Sequence, residues 1–265
     1  LSTYDLGRSV LPFPSHEIDP YRGLAPHFDV ASARGQALHA LAGGSARVVV
    51  AAAAALVPRL SPPSRILAAG CGLVVGALLE PPALGDQLAD AGFTPEDPVE
   101  AHGEFCIRGG VVDFFPAGDE QPIRAEFAGD SLESLRRFDP STQRSTRSLD
   151  RADIVVLREL FELEDGDGGE LDRSAWFGDY LTQGSGARVY LSEADESRRA
   201  VEACLRQAAT GFADAETRGE SALPPDELLV DGQTLETWLD TAAGLEQLWE
   251  DQGAARRVHH VACQP

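Results

Sequence analysis

Isolated arginines on short strands beside tight glycine turns, Arg108 and Arg124 among them, are residues of this chain that could do the chemistry of recognition, as on a small β-rich docking surface. The first closes the run Glu104-Phe105-Cys106-Ile107-Arg108, ahead of Gly109-Gly110 and Val111-Val112-Asp113-Phe114-Phe115-Pro116. The second sits in Pro122-Ile123-Arg124-Ala125-Glu126-Phe127. A guanidinium is planar, permanently charged and able to hold a carboxylate through two parallel bonds, which suits it to protein interfaces. The plainer use of the pair is a cross-strand ladder with Glu104 and Glu126, worth only about 0.2–1 kcal/mol at an exposed site.

Nothing else in the chain assembles into a catalytic set. There is no lysine. A phosphate-cradling loop of the form G-x-x-x-x-G-K-[ST] needs one to reach the β- and γ-phosphates, so no such loop exists here. Gly70-Cys71-Gly72 with Gly76 is the nearest glycine-rich stretch, and its spacing fits neither phosphate-loop pattern. Cys71, Cys106, Cys204 and Cys263 lie far apart, without C-x-x-C spacing, and read as reduced, mostly buried thiols. His16, His27 and His102 lack an Asp or Ser neighbour at triad spacing, and His27 is expected in a packed Pro-His turn. His259 and His260 are adjacent on a predicted strand, so they point to opposite faces and cannot chelate one ion together. Asp165-Gly166-Asp167-Gly168-Gly169-Glu170 lacks the third acidic ligand and final Glu of a calcium loop, and reads as a solvated linker. No catalytic residue, metal site or cofactor is expected.

The elements that hold Arg108 and Arg124 follow from periodicity. Alternate side chains of a strand face opposite ways. Phe105 and Ile107 therefore face one side, and Glu104, Cys106 and Arg108 the other; Ile123, Ala125 and Phe127 line one face, and Arg124 and Glu126 the other. Gly109-Gly110 permits the tight bend between strands. The expectation is a small β-rich domain over 72–156, with one apolar and one charged face, interrupted by a helix at 83–91. Residues 1–71 read as α/β, with a helix over 32–41 ended by Gly43-Gly44, a buried strand over 47–51, and a close at Pro58 and Pro62-Pro63. Residues 157–265 return to α/β. They show a strand over 188–191, a capping-box start at Ser192 and Asp195, and a helix carrying Val201, Cys204, Leu205 and Ala208. A second helix from 234 carries Leu235, Trp238, Leu239, Leu245, Leu248 and Trp249, before a final strand over 258–262. A β-rich insert carried by a split α/β body explains this order.

At 265 residues the chain can bury a real core, and its 43% hydrophobic and 25% charged content is that of an ordinary globular protein. A net charge of -21 argues against binding nucleic-acid backbone, which needs clustered basic residues, and toward a protein partner. The apolar run from Val48 to Val57 is far shorter than the roughly 20 residues that cross a bilayer, so no membrane partner is expected. Cysteine usage suggests the cytoplasm. A start at Leu1 without any methionine suggests a piece of a longer protein.

Three stretches together resemble the excinuclease B homology region, shared by the excinuclease B subunit (UvrB) and the bacterial transcription-repair coupling factor (Mfd). They are Gly103 through Pro116, Pro122 through Phe127, and Phe138-Asp139-Pro140 with Thr142-Gln143-Arg144-Ser145. Leu11-Pro12-Phe13-Pro14, Pro20-Tyr21, Leu24 through Asp29 and Arg34 fit upstream, so the resemblance covers about 11–160. The coupling factor fits better: the interval from Tyr21 to Val48, where the B subunit carries a long aromatic hairpin, is short and holds one aromatic residue, Phe28. The resemblance implies a split, degenerate RecA-like or Rossmann-like α/β domain, without a working ATP site, carrying the β-rich domain as an insert. It implies that Arg108 and Arg124, with a weaker part for Phe127, bind the excinuclease A subunit (UvrA). Ala128 stands where some relatives carry a contacting Phe. RNA polymerase and DNA are implied as partners only of later domains, which include an ATP-dependent translocase motor. On this reading Arg108→Glu and Arg124→Glu each abolish partner binding and leave the unfolding midpoint nearly unchanged. Two alternatives stay open: a fragment of the B subunit, which verifies damage with ATP, and an unrelated α/β enzyme.

Overall fold

The computed structural model describes residues 10–163, 169–182 and 186–245. It is a mixed α/β fold. β1 (Val10–Phe13) pairs in parallel with β2 (Val48–Ala51). Parallel neighbours need a long connection, supplied here by a 3-10 turn at Pro20–Arg22 and by α1 (Phe28–Ala42). α1 starts four residues ahead of the expected 32 because His27 caps it, its ring Nδ1 accepting a bond from the Asp29 amide. His27 is exposed, so the packed turn expected there does not form. β2 forms, but not as a buried strand: Val49 and Ala51 pack on the core, while Val48 and Val50 meet solvent. A short apolar run does not reveal whether one face or both will be covered.

α1 carries Arg34 into the core, where its side chain is 0% exposed. Its Nε donates to Glu159 Oε2 at 2.6 Å and its Nη1 to the Pro14 carbonyl at 2.8 Å, and the guanidinium lies 4.0 Å from the Phe13 ring centroid. His16 Nε2 meets the other Glu159 oxygen at 2.7 Å. One buried carboxylate thus joins residues far apart in the chain. One turn of α1 packs directly on the backbone there: a Cβ on Gly35 would lie 2.2 Å from the Val156 carbonyl oxygen.

Pro62-Pro63, expected to close the first segment, instead opens α2 (Pro63–Ala69), because the first turn of a helix does not need the missing amide. β3 (Cys71–Val74) and α3 (Pro81–Ala91) follow. Then comes a six-stranded sheet whose spatial order equals its chain order: β4 (Thr94–Pro95), β5 (Glu104–Arg108), β6 (Val111–Phe114), β7 (Ile123–Ala128), β8 (Ser131–Phe138) and β9 (Ser145–Leu149). β4 joins β5 in parallel and the rest is antiparallel. β10 (Arg151–Ile154) returns to pair with β3. Val112, Phe114, Ile123, Ala125, Leu132 and Leu135 bury one sheet face in the same core as Leu84 and Leu88 of α3. Gly85 lets that helix in close, since a Cβ there would lie 2.2 Å from Ile107 Cδ1.

The later part holds α4 (Phe177–Leu181), β11 (Tyr190–Ser192), α5 (Ala194–Arg218), α6 (Pro225–Leu228), α7 (Gly232–Leu239) and β12 (Ala243–Leu245), with β11 and β12 parallel. The capping box expected at Ser192 and Asp195 does not form. Ser192 belongs to β11, and Glu193 precedes α5 without a side-chain cap. α7 starts at Gly232, where Asp231 accepts from the Thr234 amide at 2.9 Å, and stops at Leu239 instead of running on through Leu245. Leu245 lies in β12: pairing with β11 takes the backbone bonds that a longer helix would have used. Leu248, Trp249 and the strand expected over 258–262 lie outside the described residues. No helix among the described residues is long and apolar enough to cross a membrane.

Burial pushes the Glu159 carboxyl up, but Arg34 and His16 outweigh it and hold the pKa below the ordinary value of 4.5. A depressed pKa of this kind contributes stability above the unfolded value, and that contribution is lost as pH falls through the folded one. Glu159→Gln, which leaves Arg34 buried without its counter-charge, should cost about 3–5 kcal/mol at pH 7. Denaturant unfolding of both proteins should show the gap narrowing as pH falls below about 4.5.

Candidate protein-binding face

The sheet face turned away from α3 is built by register. Gly109 takes φ +61°, and Gly110 lets the hairpin lie against β7: a Cβ on it would sit 2.9 Å from the Phe127 carbonyl oxygen. The resulting pairs set Cys106 opposite Asp113, Asp113 opposite Arg124, and Arg124 opposite Arg136. Residues directly opposite in a sheet share a face. The next row holds Arg108, Val111, Glu126 and Ser134. Val99, Cys106, Phe115 and Phe138 form a second, small apolar cluster. The ring of Phe138 lies 4.6 Å under the Arg124 guanidinium, so this face is not purely charged, as the alternation suggested.

Asp113 organises the face. Its side chain is 1% exposed and is bound by both candidate arginines. Arg124 donates through Nε to Oδ1 at 2.7 Å and through Nη2 to Oδ2 at 2.8 Å; Arg108 Nη2 donates to Oδ2 at 2.7 Å. Hydrogen bonding to Asp113 raises both guanidinium pKa values above the ordinary one, so both stay cationic. Arg124 is further fixed by a bond to the Gln143 carbonyl and is 18% exposed, while Arg108, 45% exposed, also reaches Asp97 at 3.2 Å. The ladder with Glu104 and Glu126 does not form. Glu104 accepts the Glu100 and Ala101 amides, and Glu126 accepts the Ser134 hydroxyl and lies 3.7 Å from Arg136.

Asp113 carries no role assigned from the sequence. The signal was there: an acid inside Val111-Val112-Asp113-Phe114-Phe115 is a charge in an apolar run, and buried charges need partners. Arg136, half exposed on the same row, was also missed. Phe127 is not brought to the arginines: it pairs with Leu132, packs against the main core and faces the other way, while Ala128 is the exposed neighbour on the arginine side. The fixed position of Arg124 also changes one expectation. Arg124→Glu would set a second carboxylate against buried Asp113, so its unfolding midpoint should fall.

Of the other candidates, Cys106 lies on this face, opposite Asp113, and His102 touches its apolar cluster through Phe115. His16 belongs to the Glu159 cluster, and His102 stacks on Phe115 with Nε2 2.8 Å from the Asp119 carbonyl. Cys71, Cys106 and Cys204 are free thiols, each pushed above the ordinary pKa by burial. Residues 165–168, His259, His260 and Cys263 lie outside the described residues. Among the described residues no three His, Cys, Asp or Glu side chains converge as metal ligands would.

The arginine face, Asp113 and the hairpins that carry them fall inside one region with known counterparts. Residues 72–159 match the UvrB interaction domain family. The resemblance to the excinuclease B homology region therefore holds. The chain is 34% identical over 154 residues, 58% of its length, to the transcription-repair-coupling factor of Bacillus subtilis, and 32% identical over 167 residues, 63% of its length, to that of Escherichia coli. It is 34% identical over 118 residues, 44% of its length, to UvrABC system protein B of Gloeothece citriformis. The matches span only 13%, 14% and 18% of these relatives' own lengths.

If Asp113 holds the two arginines of this UvrB-like segment in place, removing it should cost stability as well as order. Asp113→Ala should destabilise the chain by about 1–3 kcal/mol, the range for removing a buried acceptor and leaving its hydrogen-bond donors without it. Denaturant unfolding checks this, and the expected cost is above that of Arg108→Gln.

Proposed function

We propose that this chain is a non-catalytic recruitment module of a transcription-repair coupling factor, and that its arginine face binds the excinuclease A subunit (UvrA). The observation that carries the reading is the pair Arg108 and Arg124, held by one buried carboxylate on the open side of the segment that matches the UvrB interaction domain. A partner with surface carboxylates meets guanidinium groups there, because Asp113 itself is out of its reach. Positive groups on one face of a chain carrying -21 overall favour a single docking orientation.

In this reading residues 72–156 are the docking insert, and 1–71 with 157–265 are two halves of a supporting α/β body. With no lysine to build a phosphate loop, the module works without a cofactor. It couples stalled transcription to excision repair in the cytoplasm, and RNA polymerase and DNA are engaged by other parts of a longer protein.

Calorimetric titration with a purified bacterial excinuclease A subunit tests the assignment. Arg108→Gln keeps an amide beside Asp113 and should leave the unfolding midpoint close to wild type, while binding weakens about tenfold or more. Wild-type affinity in that variant would overturn the assignment.

A further inference from the structure

We infer that Leu78 is the apolar anchor of the same docking face, so that the partner must offer an apolar pocket beside its acidic patch. The inference rests on the docking role proposed above and names a residue outside the arginine rows. β9 pairs with β8 only from Leu135 to Phe138, which leaves the other end of that edge open. Residues 76–79 fill it. The Gly76 amide donates to the Leu132 carbonyl at 2.8 Å, the Leu132 amide to Ala77 at 2.9 Å, and the Leu79 amide to Asp130 at 2.8 Å. Leu78 thereby stands in antiparallel register with Ser131, which pairs with Ala128.

This register decides where the side chain points. Opposed residues share a face, so Leu78, Ser131 and Ala128 form a third row beyond the two that hold the arginines. β7 keeps its alternation through Arg124, Glu126 and Ala128, because the irregularity opposite Glu126 and Phe127 places its extra residue, Glu133, on β8. Leu79, one residue on, packs toward the core, as alternation requires.

Leu78 is 83% exposed, the most open large apolar side chain among the described residues. Single exposed leucines are common and need no explanation. This one differs in being pinned. Its backbone is held on both sides by sheet bonds, so docking would order little more than one side chain, and pre-organised apolar groups are those whose burial becomes affinity. Ala128 and Ser131 beside it are small and leave room for a partner surface to close around it. Two strand spacings and four residues of strand rise put Leu78 roughly 16 Å from Arg124, within one interface of about 800 Å² per partner. Arginines for orientation and one apolar side chain on a pinned backbone for burial are the two parts such a docking surface needs.

The test is a titration of the whole chain with a purified bacterial excinuclease A subunit at two salt concentrations, comparing wild type, Leu78→Ser, Leu78→Met and Arg108→Gln. Leu78→Ser should bind about tenfold more weakly at both salts with an unchanged unfolding midpoint, and Leu78→Met should bind like wild type. Arg108→Gln should reduce both affinity and salt dependence. If Leu78→Ser binds within twofold of wild type while Arg108→Gln is weakened, the anchor is overturned and the arginine face stands. A loss in Leu78→Ser that comes with a lowered midpoint also overturns it. If wild type does not bind at all, the docking reading falls and the anchor with it.

Discussion

Asp113 is a carboxylate removed from water on the open face of a sheet, and the positions of the arginines around it follow from that. A buried charge must be paired and hydrogen-bonded, or the fold does not tolerate it. Arg124 meets the need with two parallel bonds and Arg108 with a third. Each arginine is thereby fixed in direction before any partner arrives. Side chains that would otherwise have to be ordered on binding are already held in place, which is what the proposed docking role asks of them.

The rest of the molecule serves that face at a distance. The opposite side of the sheet packs into the core, where α3 lies on β5 and β6 and Gly85 allows a close approach, so the arginine side is the one proposed for a partner. The segment 76–79 then completes the β8 edge next to the β7–β8 turn. A second buried acid, Glu159, does comparable work in the body, where Arg34 and His16 join strand, helix and loop. In a chain without lysine both buried carboxylates depend on arginine, whose planar fork can satisfy an acid more completely than an ammonium could.

Much of the arginine face was legible in the residues. Alternation in 104–108 and 122–127 put Arg108 and Arg124 on the side away from Phe105 and Ala125, and the structure has them there. What the sequence did not show was the partner of each arginine. Glu104 and Glu126 were nearer along their own strands, but the choice depended on cross-strand register, which only the pairing of three strands defines. The capping box at Ser192 and the long helix from 234 failed for a related reason. Local propensity favoured helix, but β11 and β12 gained more by pairing. Leu78 had no periodic signal at all, because it belongs to a connection that becomes a sheet edge only in three dimensions.

Arginine-directed chemical labelling read by mass spectrometry, with and without a purified excinuclease A subunit, addresses the docking face most directly, since a chain without lysine cannot be mapped with amine reagents. Arg108 and Arg136, each about half exposed, should lose reactivity when the subunit is present, while the exposed Arg206 of α5 keeps it. Protection of Arg206 with Arg108 and Arg136 still reactive would place the partner on another surface and contradict the role assigned to Asp113 and its arginines.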